Sequence, residues 1–256
     1  MELSAIGVYR VWLRYFKVFR KSLIYGVVTT FLEPLLFLFS FGFGLGPIVG
    51  NITVSGVSLT YRQFVFSGIV AQTIMFQAFF EAAYGSFIRM YYQKIYQAMA
   101  MTPITISEIL WGEVLWDTTK ATFASFVVLL IGCSIGDFSV TGALICLPFC
   151  FLSAMLFASM GILVASISKS IEEISYPQYL LIFPMFLFCG VFFPLEQLPK
   201  VVQIIAWLFP LTSMISIIRT LILGLPLAPF AVVAVILWLC VLILVSRKSM
   251  TSRLVK

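Results

Sequence analysis

The segment VVQIIAWLFPLTSMISIIRTLILG, residues 201–224, decides how this chain is laid out. It is long enough to cross the ~30 Å hydrocarbon core of a bilayer as one helix, but Pro210 cuts it into two pieces that are each too short. Around it, apolar runs read as spans near 25–47, 64–86, 109–134, 141–167, 178–194 and 227–246. Charge decides whether 201–224 is a seventh, because Lys and Arg collect on the cytoplasmic side of membrane proteins. With six spans and the N-terminus inside, the cytoplasm holds 12 cations (Arg10, Arg14, Lys17, Arg20, Lys21, Arg89, Lys94, Lys169, Arg247, Lys248, Arg253, Lys256) and the exterior three (Arg62, Lys200, Arg219). A seventh span would change this to nine against six. Six spans are therefore expected, with 201–224 a pair of helices dipping back from the outer face.

Composition agrees. Of the 256 residues, 62% are hydrophobic and 10% charged, against roughly 45–50% and about 25% in soluble domains. The fold class expected is an all-α integral membrane protein, and the net charge of +6 reports topology rather than a nucleic-acid partner. There is no histidine, which excludes triad hydrolases and His-ligated zinc or haem. Cys146 and Cys150 stand one helical turn apart, but no further ligand completes a metal site. The chain has no G-x-x-x-x-G-K-[ST] and no G-x-G-x-x-G after a strand, so it is expected to bind no nucleotide or other cofactor itself.

Residues 1–24 carry Arg10, Arg14, Lys17 and Lys21 on one helical face, opposite Trp12, Phe16, Phe19 and Leu23. This predicts an amphipathic helix on the cytoplasmic membrane surface; a plain positive flank to the first span fits the same charges. The apolar run that follows is longer than a signal-peptide core and lacks a cleavage pattern, so the segment is expected to be retained, in a bacterial plasma membrane or, on the same physical grounds, an archaeal one. A six-span core over 25–246 and a cytoplasmic tail over 247–256 complete one domain, 1–256, with both termini in the cytoplasm.

Ionisable residues within spans mark either function or helix packing. They are Glu33, Glu81, Glu113, Asp117 and Lys120. Glu113, Asp117 and Lys120 share a face of the third span, where Asp117 can pair with Lys120; a proton relay and a helix-orienting role both fit. Glu33 precedes Pro34, which predicts a kink and, secondarily, a cavity wall. In the longest interior loop, about 87–108, the stretch Gln93, Lys94, Ile95, Tyr96, Gln97, Ala98, Met99 predicts a short helix, followed by Thr102-Pro103-Ile104 and a Ser107 cap. Its apolar and aromatic content suits docking into a partner's groove, or lying on the membrane surface.

Several segments resemble the membrane subunits of ABC-2 type exporters, in the branch of lipo-oligosaccharide and drug-resistance export permeases. The resemblance rests on Phe80-Glu81-Ala82-Ala83-Tyr84-Gly85-Ser86-Phe87-Ile88-Arg89-Met90, on Tyr96 to Met99 with Thr102-Pro103-Ile104, on Gly112-Glu113 with Trp116 and Lys120, on Phe157-Ala158-Ser159, and on Gly190-Val191-Phe192-Phe193-Pro194-Leu195-Glu196-Gln197-Leu198-Pro199 with Pro210-Leu211 and Arg219. It implies a homodimer or a dimer of like subunits, an interfacial helix, six spans and a re-entrant hairpin before the last. It also implies a separate cytoplasmic ATPase that binds ATP and Mg, seated on a coupling helix that maps to Gln93–Met99, with Glu172 and Glu173 as an auxiliary contact. No catalytic residue is implied. The cargo expected is amphipathic or lipid-linked, in contact with membrane lipid. A proton- or ion-coupled carrier using the intramembrane carboxylates is the competing expectation, and it lacks an inverted repeat.

Overall fold

The computed structural model describes residues 4–54 and 56–254, with the Thr29 side chain excepted. Residues 1–3 of the expected interfacial segment and Lys256 of the tail lie outside them. The first helix, Ala5–Lys21, ends at Ser22, and five long apolar helices follow: span 1 (Leu23–Val49), span 2 (Tyr61–Tyr91), span 3 (Ile106–Ser134), span 4 (Val140–Ile167) and the last, Pro229–Leu254. Between the last two lie a helical stretch over 171–188 and the pair Lys200–Leu208 and Pro210–Leu223, bent by 87°.

Contacts sort these elements onto two ends. At one end, rich in basic residues, the Ser4 N–H donates to Glu108 Oε1 at 3.0 Å, joining the starts of the first helix and span 3. Arg253 donates to the carbonyls of Ala165, Ser166 and Ser168, where span 4 finishes, and lies over the Tyr91 ring at the end of span 2. At the other end Arg62 grips Asp137 through two bonds of 2.6 and 2.9 Å, tying the start of span 2 to the loop after span 3. Arg219 joins them, donating to the carbonyls of Phe64 and Gly190.

The stretch 171–188 runs between these ends. It begins at Ile171, three residues separating it from the finish of span 4 at Ile167; near its middle Gln178 accepts from Tyr84, and beyond its finish Gly190 meets Arg219. Eighteen helical residues give about 27 Å, so this is span 5 and Pro229–Leu254 is span 6. The bent pair stays at the Arg219 end, as the expected re-entrant hairpin requires. The expected boundaries 178–194 shift: span 5 starts seven residues earlier and 189–194 is non-helical. The expected tail 247–256 continues span 6 as helix through Leu254.

Span 2 is the central helix, with 83% of its apolar window buried, against 18% for span 1 and 22% for span 6. Span 4 reaches it closely at Gly161, where a Cβ would lie 2.6 Å from both the Ala82 Cβ and the Phe79 carbonyl oxygen, so only glycine permits the approach. The first helix does not simply float on the surface. It buries Gly7, Val8, Val11 and Tyr15 against span 3, whose Gly112 has room for no side chain beside Val11, and it leaves Arg10, Lys17, Arg20 and Lys21 exposed. Pro34 sits inside span 1, one turn before a π-helical segment, Leu38–Leu45, and the Thr30 carbonyl that its missing amide leaves free accepts from Gln77 Nε2 at 3.3 Å. Two short antiparallel strands, Asn51–Val54 and Val57–Thr60, link spans 1 and 2, with Gly56 at positive φ in the turn.

Candidate functional site

Span 2 finishes in two π-helical segments, Glu81–Gly85 and Ile88–Tyr92. Their wider turns bring Glu81, Ser86 and Arg89 toward span 3. Arg89 is the hub. Its Nε donates to Glu113 Oε1 at 2.6 Å and its Nη1 to Glu81 Oε1 at 3.0 Å, while Nη2 lies 2.5 Å from Glu113 Oε1 and 3.4 Å from Asp117 Oδ1. Lys120 closes the cluster through a 2.7 Å bond to Glu81 Oε2, and the Ser86 hydroxyl donates to Glu113 Oε1 at 2.8 Å. The Glu113 and Asp117 side chains are fully buried, while Glu81, Arg89 and Lys120 are partly buried.

Four of the five expected intramembrane polar residues thus meet in one cluster, but with different partners. Asp117 pairs with Arg89 rather than with Lys120 of its own helix, and Lys120 crosses to span 2. Two cations against three carboxylates in a low-dielectric setting make a network whose members depend on each other. Glu33 does not join it. The reading from sequence missed the role of Arg89, which appeared there as a loop cation and as one residue of the Phe80–Met90 motif; its place two helical turns beyond Glu81 was the available signal. Among the described residues no group of His, Cys, Asp or Glu is arranged to hold a metal ion.

The cluster reaches the short helix Ile95–Ala100 and the first helix. Lys94, in the left-handed region at φ 51, starts the short helix. Its Tyr96 and Met99 are buried, while Lys94, Gln97, Ala98 and Met101 are exposed. Tyr15 of the first helix puts its ring 5.0 Å from the Arg89 guanidinium, and Phe19 lies beside Lys120. Burial and then the charge of Glu113 push the Tyr15 and Tyr96 phenols well above the ordinary tyrosine range, so both stay protonated next to that carboxylate. The expected stretch Gln93–Met99 therefore has one face turned to solvent and one tied to spans 2 and 3.

Elsewhere the expected cap of span 3 moves from Ser107 to Thr105, which forms a capping box with Glu108. Glu172 and Glu173 fall in the first helical turn of span 5 behind the Ser170 cap, and Glu173 accepts from the Lys169 N–H at 2.7 Å. At the opposite end, two halves of the motif region meet where Arg219 Nη2 donates to the Gly190 carbonyl at 2.8 Å.

Residues 7–223 match the family described as ABC-2 type transporter. Nodulation protein J of Rhizobium meliloti (strain 1021) is 35% identical over 217 residues, 85% of this chain and 81% of that protein. Nodulation protein J of Bradyrhizobium diazoefficiens is 32% identical over 219 residues, 86% and 82% of the two chains. The inner membrane transport permease YadH of Escherichia coli (strain K12) is 24% identical over 216 residues, 84% and 82%. With six traverses, a bent helix pair before the last, and similarity over most of its length, this chain belongs to the ABC-2 type transporter family.

Proposed function

We propose that the chain is the permease subunit of an exporter driven by a separate cytoplasmic ABC ATPase, which holds the ATP and Mg. The observation that carries this reading is the short helix Ile95–Ala100, exposed on one face and anchored on the other by Tyr96 beneath the Arg89 cluster. A force applied to its outer face is passed to spans 2 and 3 through packed and ion-paired side chains rather than lost in a flexible loop. Two copies acting together, each rocked by one ATPase, would alternate between inward- and outward-facing states. The cluster end is cytoplasmic on charge grounds, which puts both termini inside a cytoplasmic (inner) membrane, and Glu172 and Glu173, at the start of span 5, act as an auxiliary contact. The cargo is an amphipathic or lipid-linked molecule such as a lipo-oligosaccharide, a glycolipid or a drug-like amphiphile. A proton-coupled carrier is less well supported, since Glu81, Glu113 and Asp117 are each held by Arg89 or Lys120.

The test is ATP hydrolysis by the complex of permease and ATPase in lipid nanodiscs. Ala98→Arg, on the exposed face, is expected to lower permease-stimulated hydrolysis about tenfold, the effect of losing ~1.4 kcal/mol of coupling, while insertion and thermal stability stay unchanged. If substitutions throughout Gln93–Met99 leave stimulation intact, the coupling assignment is wrong.

A further inference from the structure

Span 2 is buried nearly all round at its outer half, but from mid-length to the basic end one stripe stays accessible. Gln77, Phe80, Glu81, Tyr84 and Ile88, spaced by three and four residues, share that face. Span 1 walls it on one side, where Gln77 Nε2 donates to the Thr30 carbonyl at 3.3 Å. Span 5 walls it on the other, where the Tyr84 hydroxyl donates to Gln178 Oε1 at 2.7 Å. Toward the opposite end the walls meet, with the Phe37 ring 5.4 Å from that of Phe186 and 6.2 Å from that of Phe192. The stripe is the floor of a trough that opens at the basic end and stops at an aromatic plug.

Glu33 stands one helical turn below the plug. It is ten residues into span 1, about 15 Å of helix, and it is only partly buried. Unlike Glu81, which two cations neutralise, its side chain has no hydrogen bond or ion pair with any described residue. A lone carboxylate at that depth is costly against hydrocarbon and normally faces an aqueous path or a bound partner. The Gln77 amide lies on the neighbouring span at the same level, bonded to the carbonyl one turn before Glu33.

We propose that Glu33 and Gln77 form a subsite in this trough for the headgroup of an amphipathic cargo, one rich in hydrogen-bond donors, hydroxylated or ammonium-bearing, and not anionic. The proposal rests on the export reading above and specifies its cargo. The carboxylate and the amide oxygen accept from hydroxyl or ammonium protons, the neighbouring Phe80 offers a ring face to a sugar or a cation, and the charge of Glu33 repels a phosphate. The apolar tail stays on the outward surfaces of spans 1 and 5, where Leu32, Leu36, Leu180 and Leu187 are exposed.

Thiol labelling in inverted membrane vesicles tests this without ATP or the partner subunit, so it remains readable if the ATPase partnership fails. Cys133 and Cys240, the thiols that are not buried, are first replaced by Ala. Glu33→Cys and Gln77→Cys are expected to react with a charged methanethiosulfonate at least about tenfold faster than Leu32→Cys and Leu36→Cys, which face hydrocarbon that excludes the reagent. Dodecyl maltoside or dodecyltrimethylammonium below solubilising concentration should slow the Gln77→Cys reaction, where the Glu33 carboxylate is intact, and dodecyl phosphate should not; which of the first two protects identifies the hydroxyl or the ammonium. Rates equal to the leucine controls, a disulfide joining two Glu33→Cys copies in place of labelling, or equal protection by dodecyl phosphate would each overturn the proposal. In the complex with ATPase, the near-isosteric Glu33→Gln keeps the packing and should weaken stimulation by the ammonium probe severalfold through loss of a charge-assisted bond; unchanged stimulation by both protecting probes also counts against it.

Discussion

Arg89 donates to Glu81 and Glu113 and pairs with Asp117, so its loss is the most damaging single change inside the bundle. Arg89→Ala leaves three buried or partly buried carboxylates to share Lys120, and breaking such a network costs about 3–5 kcal/mol. Thermal unfolding of the purified chain should show a large drop in Tm. Arg89→Lys should recover only part of it, because one ammonium cannot reproduce the planar fork that serves several carboxylates at once. A wild-type Tm for Arg89→Ala would mean the cluster is not structural. The carboxylates of this cluster were legible as costly residues within apolar runs, but their partners were not. Helical spacing places Lys120 next to Asp117, and nothing local says that span 2 ends in π-turns that carry Arg89 and Glu81 across to span 3.

Among elements, the tightest joint is between spans 2 and 4 at Gly161. Gly161→Val would push a side chain into Ala82 and the backbone at Phe79, and overpacking of this kind costs about 1–3 kcal/mol. The expected outcome is a lower Tm with a parallel loss of coupled ATP hydrolysis, since span 2 carries the cluster; an unshifted Tm would show that the helices can separate without cost. Most spans could be read from apolar length alone. Span 5 was harder, because Glu172, Glu173 and Gln178 dilute its hydropathy and hide its first two turns. The strand pair has a sequence signal, short β-prone runs on either side of Gly56, but at four residues each the runs are too short to stand out from the loop between two long apolar helices. Thr105 rather than Ser107 caps span 3 because it stands three residues before Glu108, the spacing at which cap and carboxylate satisfy each other's amides.

At the scale of the whole molecule, the distribution of cations, the re-entrant pair and the exposed face of Ile95–Ala100 point the same way. The bundle is closed around span 2 and open along spans 1, 5 and 6, whose exposed apolar residues face lipid or a second copy. Pro210 and the cation count pointed to six spans rather than seven; the two helices meet at 87°, and the second of them is held at the outer end by Arg219 bonds to the Phe64 and Gly190 carbonyls. What remained illegible was mechanical: a sequence shows a short helix between two spans, but only the fold shows that its Tyr96 is seated beneath an ion-pair network joining spans 2 and 3. Export driven by another subunit is the central claim, and the most direct measurement is purification of the tagged chain from its native membrane in mild detergent, with mass spectrometry and an ATPase assay on what comes with it. A P-loop ATPase in a stoichiometric complex, its hydrolysis weakened in Ala98→Arg, is the predicted result; a chain that purifies alone even after crosslinking, with no ATP hydrolysis, would contradict it.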